Sequence, residues 1–382
     1  MFRVLFNSEI GTTRHSSHLA NPVLDPGEYG YVPTSGLLSG HQGCTGCGMV
    51  SGTNQVLRAL KLTGRFVAAS IATGCNEVIT TQNTSCWGDV SVDHNNFPNA
   101  ASTLSGNRAA YEALVRQGRI PADSVVNVAI AGDGGSYDIG LQALLAWIAR
   151  NEDGVYVCLN NEAYMNTGIQ SSGATPFGAK TSTTPYGKEA HGNSRTPQHL
   201  PDLALAAGAP YVAVATPVHH RDLMIKVQKA ALIQGPCLIE SYSVCPPGWN
   251  SESDFFYEIT ELALATRVLV LYEAELHREE GYAVYTLSHV PERWLPVEEY
   301  LKTQGRFQKL LRYPELVERF QAMVDRRWEF WSEVLKHNGL PVQRPVIRPK
   351  PGEVTGATAK GATLPVVRPA AKLAPARKEA TV

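Results

Sequence analysis

Between Val125 and Ala131 the chain reads Val-Val-Asn-Val-Ala-Ile-Ala, a nearly unbroken apolar run rich in β-branched residues. It lacks the two-residue alternation of a half-exposed strand and is too short for a core helix. It therefore predicts a strand covered on both faces. Asp138 then opens IGLQALLAWIAR, whose apolar positions recur at helical spacing, and Val155 to Leu159 predicts the next strand. The same alternation extends in both directions. A helix is expected over Gly48–Leu62, a strand over RFVAASIAT leading to Cys75, and a helix over Ala100–Gly118. Further on come a strand over Tyr211–Ala215, a helix over HRDLMIKVQKAALIQG and a strand over Cys237–Tyr242. Strands separated by single helices predict an α/β fold, a doubly wound parallel sheet.

The pattern weakens at both ends. Residues 1–40 are irregular, with scattered Gly, Pro, Ser and His, and read as an arm; His15, His18 and His41 there read as surface residues rather than metal ligands. Residues 41–250 form the expected α/β domain. Residues 251–340 are richer in charge and aromatics and predict helices that wrap the core or meet partner subunits. From Pro341 to Val382 there are seven prolines, eight basic residues, two acidic residues and no aromatics, a composition that cannot bury a core and reads as a disordered or docking tail. No internal repeat is present. The net charge of −1 and pI near 6.8 carry no nucleic-acid signature, and no apolar run has membrane-spanning length. The absence of a signal segment points to the cytoplasm.

The chemistry gathers at strand ends. Gly132-Asp133-Gly134 follows the first strand, and Asn160-Asn161 follows the next after a spacer of twenty-five residues. That places carboxylate and amide oxygens at the carboxyl ends of two strands, where open α/β sheets bind ligands. Hard oxygen donors suit magnesium, which is commonly held by one or two carboxylates plus substrate phosphates. Gly132, Gly134 and Gly135 would let backbone amides approach a phosphate closely. The plainer alternative is a GDGG turn that only reverses the chain.

There are seven cysteines, an odd number, which argues against a disulfide scaffold. Cys44 and Cys47 form a CxxC, Cys75 follows after twenty-seven residues, and Cys245 stands before Pro246. From spacing alone these four fit structural zinc, a redox dithiol or an iron–sulfur site. Cys158 and Cys237 lie in apolar strand-like runs and read as buried thiols, as does Cys86 beside Trp87.

The GDG…NN arrangement resembles the thiamine diphosphate motif. Its continuation NNEAYMNTGIQSSGATPFGA, from Asn160 to Ala179, is similar to the β subunit of 2-oxoacid:ferredoxin oxidoreductases of the pyruvate synthase type. The resemblance runs from about Gly40 to about Trp249 and includes CTGCG (Cys44 to Gly48), ATGCNEV (Ala72 to Val78), NNFPNAAS (Asn95 to Ser102), GDGGSYDIGLQAL (Gly132 to Leu144) and CPPGW (Cys245 to Trp249). It implies a thiamine diphosphate-binding, pyrophosphate-domain fold with a C-terminal helical extension.

The resemblance also implies roles. Cys44, Cys47, Cys75 and Cys245 would carry one [4Fe-4S] cluster, and Asp133, Asn161 and the Ala163 carbonyl would bind Mg2+. Gly132, Gly134 and Gly135 would face the diphosphate. Gly46-Cys47-Gly48 and Gly74-Cys75-Asn76 would bring the cluster beside the cofactor. Asn166 and Thr167 would line the reacting centre, although both residue types also suit a turn or helix cap. Glu162 reads as a structural hydrogen-bonding residue. No segment supplies the Glu that activates the thiamine ring, so an α subunit would bring it with the pyrimidine-binding half. The implied reaction is oxidative decarboxylation of a 2-oxo acid to acyl-CoA, with pyruvate leading and phenylglyoxylate or 2-oxoisovalerate open. The γ and ferredoxin-like δ subunits would pass electrons to ferredoxin, or to NAD through an added flavin subunit. Two alternatives stand beside it: a non-oxidative thiamine decarboxylase or carboligase, which leaves four cysteines idle, and a zinc-stabilised scaffold, which leaves Asp133 and Asn161 idle.

Overall fold

The computed structural model describes residues 36–279 and 282–337, together with the backbone of residues 3 and 4. The remainder of the N-terminal arm, with His15 and His18, and the basic tail lie outside the described residues.

In chain order the elements are β1 (Arg3–Val4), α1 (Gly48–Lys61), β2 (Phe66–Ala72), α2 (Cys75–Thr81), β3 (Ser91–Asn95) and α3 (Ala100–Arg116). Next come β4 (Val125–Gly132), α4 (Leu141–Ala149), β5 (Gly154–Asn160), α5 (Leu200–Ala207), β6 (Tyr211–Ala215), α6 (His220–Leu232) and β7 (Pro236–Tyr242). The chain continues through α7 (Pro246–Trp249), α8 (Phe256–Ala265), β8 (Tyr272–His277), β9 (Tyr282–Leu287), α9 (Val297–Lys302) and α10 (Pro314–His337). All nine strands join one sheet in the order β1-β9-β8-β6-β7-β5-β4-β2-β3.

The six strands from β3 to β6 across the sheet are parallel. Their two faces are both covered, which is why β4 and β5 read as continuous apolar runs. The strand period still sorts them. Val155, Val157 and Leu159 of β5 pack on the face covered by Leu57 and Leu60 of α1 and Leu223 and Val227 of α6. Tyr156 and Cys158 pack on the other face with Leu104 of α3, Leu144 and Trp147 of α4 and Leu200 of α5. At about 25 cal/mol per Å² of apolar area, this two-sided burial is the main source of the fold's stability. Cys86, Cys158 and Cys237 are buried, as their apolar settings suggest.

The helical expectation for 251–340 holds for α8, α9 and α10 but misses a hairpin between them. β8 pairs antiparallel with β6 and with β9. Its sequence, Tyr-Glu-Ala-Glu-Leu-His, alternates buried and half-buried positions. That is the period of a strand with one covered face, present in the chain but hidden by its charge. The 24-residue α10 lies over this hairpin, with Trp331 4.3 Å from the Tyr272 ring and Trp328 4.8 Å from Trp294.

A further difference falls where the chain leaves β4. Residues Gly134–Ile139 form a wide turn closed by Gly140 N–H donating to the Gly135 carbonyl at 2.9 Å, and α4 begins only at Leu141. Such π turns are rare and concentrate at functional sites. The periodicity of IGLQALLAWIAR could not show it, because the turn lies in the glycines before that pattern starts.

Candidate active site

Four parallel strands end on one edge of the sheet, and each delivers a residue there. β4 ends at Gly132 and Asp133, β5 at Asn160 and Asn161, β2 leads through Gly74 to Cys75, and β7 leads through Ser243 and Val244 to Cys245. The loop carrying Cys44 and Cys47 docks on the same edge. Gly48 N–H donates to the Val244 carbonyl at 2.9 Å, and a Cβ on Gly48 would stand 2.7 Å from Val244 N. Only glycine allows the CxxC loop to lie this close to the Cys245 segment.

Asp133 is 1 % exposed. Its Oδ2 accepts from Ser172 Oγ at 2.6 Å, and its Oδ1 accepts weakly from the Asn161 backbone N–H at 3.4 Å. The Asn161 side chain is the informative group. Its amide oxygen lies 2.9 Å from Asp133 Oδ1 and 2.9 Å from the Ala163 carbonyl oxygen, while its nitrogen faces Met49 Sδ at 3.1 Å. Three oxygens thus converge, and once Asp133 is ionised no proton lies among them. In a bare protein the amide would turn over and donate to both acceptors. A divalent cation among the three oxygens makes the present orientation the favourable one. Burial pushes the Asp133 carboxyl up to about 8, opposed by the Ser172 hydrogen bond. A positive ion at this position would reverse that.

The surroundings brace this cradle. Trp249 N–H donates to the Asn161 carbonyl at 2.8 Å, which ties the Cys245 segment to the oxygen site. Asn160 points away: its Nδ2 donates to Glu240 at 2.6 Å and its Oδ1 accepts from Glu162 N–H at 2.9 Å. Glu162 is buried and paired with Arg306, whose guanidinium lies 3.9 Å from the Trp249 ring centre. A carboxylate held this way is structural, as its sequence position suggests. Sequence reasoning missed the roles of Ser172, Glu240 and Met49; Ser172 lies within the family-like segment but is 39 residues from Asp133, beyond any local spacing.

The four thiols form a second group beside the first. Burial pushes Cys75 up to about 12, and Cys245, Cys47, Cys44 and Asp133 each raise it further. Cys245 is pushed up to about 11 by burial, against the Gly248 N–H, with Cys47 and Cys44 adding to it. Cys47 rises by burial too, against the N–H groups of Val50 and Met49 at the start of α1. Cys75 therefore feels the other three, and four thiolates at once would require a metal centre. No three of them come within 4.8 Å of one another among the described residues. Tetrahedral zinc with Zn–S near 2.3 Å would need thiolates about 3.8 Å apart, closer than any three of these thiols stand to one another.

A cavity of about 210 Å³ opens over this edge, lined by Met49, Gly74, Cys75, Gly132, Asp133, Gly134, Asn161, Ala163, Asn166 and Thr167 among others. Asn166 and Thr167 are exposed at its mouth. Phe97 and Tyr164 form one wall, their rings 5.5 Å apart. The remaining expected residues sit differently. Asn76 is 2 % exposed and accepts from Thr53 Oγ1 at 2.6 Å, joining α2 to α1 instead of facing the cavity. Gly134 is required by the Tyr164 ring, 2.6 Å from where its Cβ would stand, and Gly135 backs onto the Phe97 carbonyl. Gly46 and Gly48 shape the cysteine loop and do not line the cavity.

Comparison with known proteins converges on the same edge. The family described as thiamine pyrophosphate enzyme, C-terminal TPP binding domain, matches residues 109–241. That span includes β4 to β7 with Asp133 and Asn161, and leaves all four clustered cysteines outside. The pyruvate synthase subunit PorB of Thermotoga maritima is 39 % identical over 77 % of this chain and 90 % of its own length. The PorB subunit of Methanothermobacter thermautotrophicus is 42 % identical over 76 % of this chain and 94 % of its own. The ketoisovalerate oxidoreductase subunit VorB of Pyrococcus horikoshii is 36 % identical over 76 % of this chain and 90 % of its own.

Proposed function

Because this chain belongs to the thiamine diphosphate-binding β subunits of the 2-oxoacid:ferredoxin oxidoreductases, we propose that it holds Mg2+ and a [4Fe-4S] cluster alongside that cofactor. The enzyme it serves would then convert pyruvate and coenzyme A to acetyl-CoA and carbon dioxide. One observation carries the reading: Cys75 lines the same cavity as Asp133 and Asn161, so a cluster ligand and the cofactor-metal ligands would be neighbours.

Asp133 Oδ1, Asn161 Oδ1 and Ala163 O supply the three oxygens for magnesium. Gly132, at the floor of the cavity, leaves room for the diphosphate. Thiamine diphosphate supplies a nucleophilic carbon for the 2-oxo group, and the cluster supplies a one-electron acceptor within the same protein. Asn166 and Thr167, exposed at the cavity mouth, are placed to bind and orient the incoming acid. Glu162 cannot activate the cofactor, because Arg306 holds it buried. An α subunit supplies that glutamate across the open side, so the isolated chain is inactive. Cys44 is the exposed thiol of the four and marks the side from which electrons leave towards γ and δ subunits and ferredoxin. Pyruvate leads because PorB subunits of Thermotoga maritima and Methanothermobacter thermautotrophicus reach 39 % and 42 % identity, while the PorB and VorB subunits of Pyrococcus horikoshii, each 36 % identical, keep 2-oxoisovalerate as the second substrate. No described helix is long and apolar enough to cross a membrane, and oxygen-sensitive thiolates suit the reducing cytoplasm.

The test is anaerobic EPR of the native complex mixed with pyruvate, 2-oxoisovalerate or phenylglyoxylate, with and without coenzyme A. A radical or reduced-cluster signal with pyruvate alone is expected. A signal with another acid replaces the substrate, and a complex without iron overturns the cluster.

A further inference from the structure

Away from the cofactor edge's centre, three side chains from distant parts of the chain meet at the same end of the sheet. His219 ends the short turn that follows β6, Glu261 lies on α8, and His289 follows β9 after Ser288. One donor atom from each lies within 4.8 Å of the other two. His219 Nε2 is 2.9 Å from Glu261 Oε1, and the two imidazole rings stand 4.6 Å apart, edge to face. All three residues are half-buried.

We propose that His219, Glu261 and His289 form a zinc site, with water as the fourth ligand. Two imidazoles and one carboxylate, without thiolate, suit zinc rather than iron–sulfur assembly. Zinc binds nitrogen at about 2.0–2.1 Å and carboxylate oxygen at about 2.0–2.2 Å, so tetrahedral donors stand roughly 3.4 Å apart. The three donors, 2.9 Å apart for His219 and Glu261 and all within 4.8 Å of one another, bracket that separation.

The backbone under each donor is already fixed. The His219 turn is capped by Thr216 Oγ1 and held by Gln55 Nε2, which donates to the Pro217 carbonyl at 2.9 Å. Ser288 N–H donates to the Leu271 carbonyl at 3.1 Å, and Ser288 Oγ accepts from Lys226 Nζ at 2.8 Å. Glu261 follows the buried pair Ile259 and Thr260 of α8. Lys226, a cation that acts on His289, has its charge met by Asp222 at 2.7 Å. Burial, His219 and Lys226 push His289 down, against Glu261 and Asp222, which favours the neutral ring that zinc requires.

The experiment uses the iron-replete complex, so that the cysteines are occupied. It is equilibrated with ZnCl2, passed through gel filtration and analysed for zinc and iron. The wild type should retain one zinc per chain more than His289→Ala and Glu261→Gln complexes, whose zinc affinity should fall by more than about 100-fold. Iron should match the wild type in both variants, which shows that they fold, and Cys75→Ser and Asp133→Asn should keep the zinc. Equal zinc in wild type and His289→Ala overturns the site, as does zinc that disappears with Cys75→Ser. Zinc should also raise the thermal midpoint of the wild type and leave that of Glu261→Gln unchanged.

Discussion

Around Asp133 every neighbour is already in place: Ser172 on one oxygen, the Asn161 amide beside the other, and Trp249 holding the Asn161 carbonyl. Around Cys75 the arrangement is looser. Three of the four thiols are half-buried and Cys44 is exposed; burial raises Cys47, Cys75 and Cys245, with neighbouring thiols adding to it. Ser172 and Trp249 thus brace the oxygen cradle without an ion, only the Asn161 amide being left to turn, whereas the sulfur group would depend on a metal centre to become four thiolates. Damage to a sulfur ligand should therefore be all-or-none, and damage to the oxygen cradle graded.

The largest expected effect is at the sulfur end. Cys75→Ser should remove the cluster and lower 2-oxoacid-dependent electron transfer by more than about 1,000-fold, a loss of about 4 kcal/mol in transition-state terms. Magnesium-dependent cofactor binding should change by less than about threefold. Fluorescence titration of the cofactor and iron analysis on one preparation check both. Loss of cofactor binding together with iron would show that the two groups are one cooperative structure and break the comparison.

Next comes Asp133→Asn. It keeps the shape, removes the charge, and should weaken Mg2+ and cofactor binding by more than about 100-fold, since even supporting residues of metal sites are worth tenfold or more. Iron content should stay at one cluster per chain. The variant that loses iron instead would place Asp133 in the cluster's support rather than in the cofactor's.

The sequence showed the two ion groups unequally well. Asp133 and Asn161 were legible because parallel strands buried on both faces print as apolar runs, and the residue after each run must sit on the ligand-binding edge. The alternation of β2, β4, β5, β6 and β7 with helices was legible for the same reason. Ser172, Glu240 and Met49 were not, because their link to the site is a tertiary contact between segments with no shared period. Asn76, which the resemblance implied would stand by the cofactor, lies instead in the helical turn that begins at Cys75, its side chain bonded to Thr53 of α1. The β8–β9 hairpin was obscured by its glutamates, which occupy the half-buried positions of an otherwise regular strand.

The cradle's pH response is a smaller effect with a definite sign. Burial raises the Asp133 carboxyl to about 8 in the ion-free fold, far above its ordinary value of 3.8. The folded state then holds a proton that the unfolded chain has released. This group's contribution to ion-free stability is full below about 4 and is lost as pH rises through about 8. Magnesium binds the carboxylate, so its affinity should fall about tenfold for each pH unit below about 8 and level off above it. Magnesium titrations at pH 6, 7, 8 and 9 check this, with Asp133→Asn expected to show no such slope. A flat profile in the wild type would mean that the cradle carries no proton when empty.

Ser172→Ala is the gentlest probe of the same point. The hydroxyl donates to Asp133 Oδ2 and is the strongest influence opposing its burial. A hydrogen bond to a charged group is worth about 1.5 kcal/mol at the low end, so the variant should bind magnesium about tenfold more weakly at pH 7. Losing that donor also lifts the carboxyl further, because the hydrogen bond favours the ionised form. Part of the defect at pH 7 is then proton competition, and it should shrink as pH approaches 9, where the carboxyl is ionised in both proteins. A defect of equal size at both pH values would show that Ser172 only positions the carboxylate. One that narrows with rising pH shows that it also keeps Asp133 ready for its ion, the property that sets the oxygen cradle apart from the cysteines beside it.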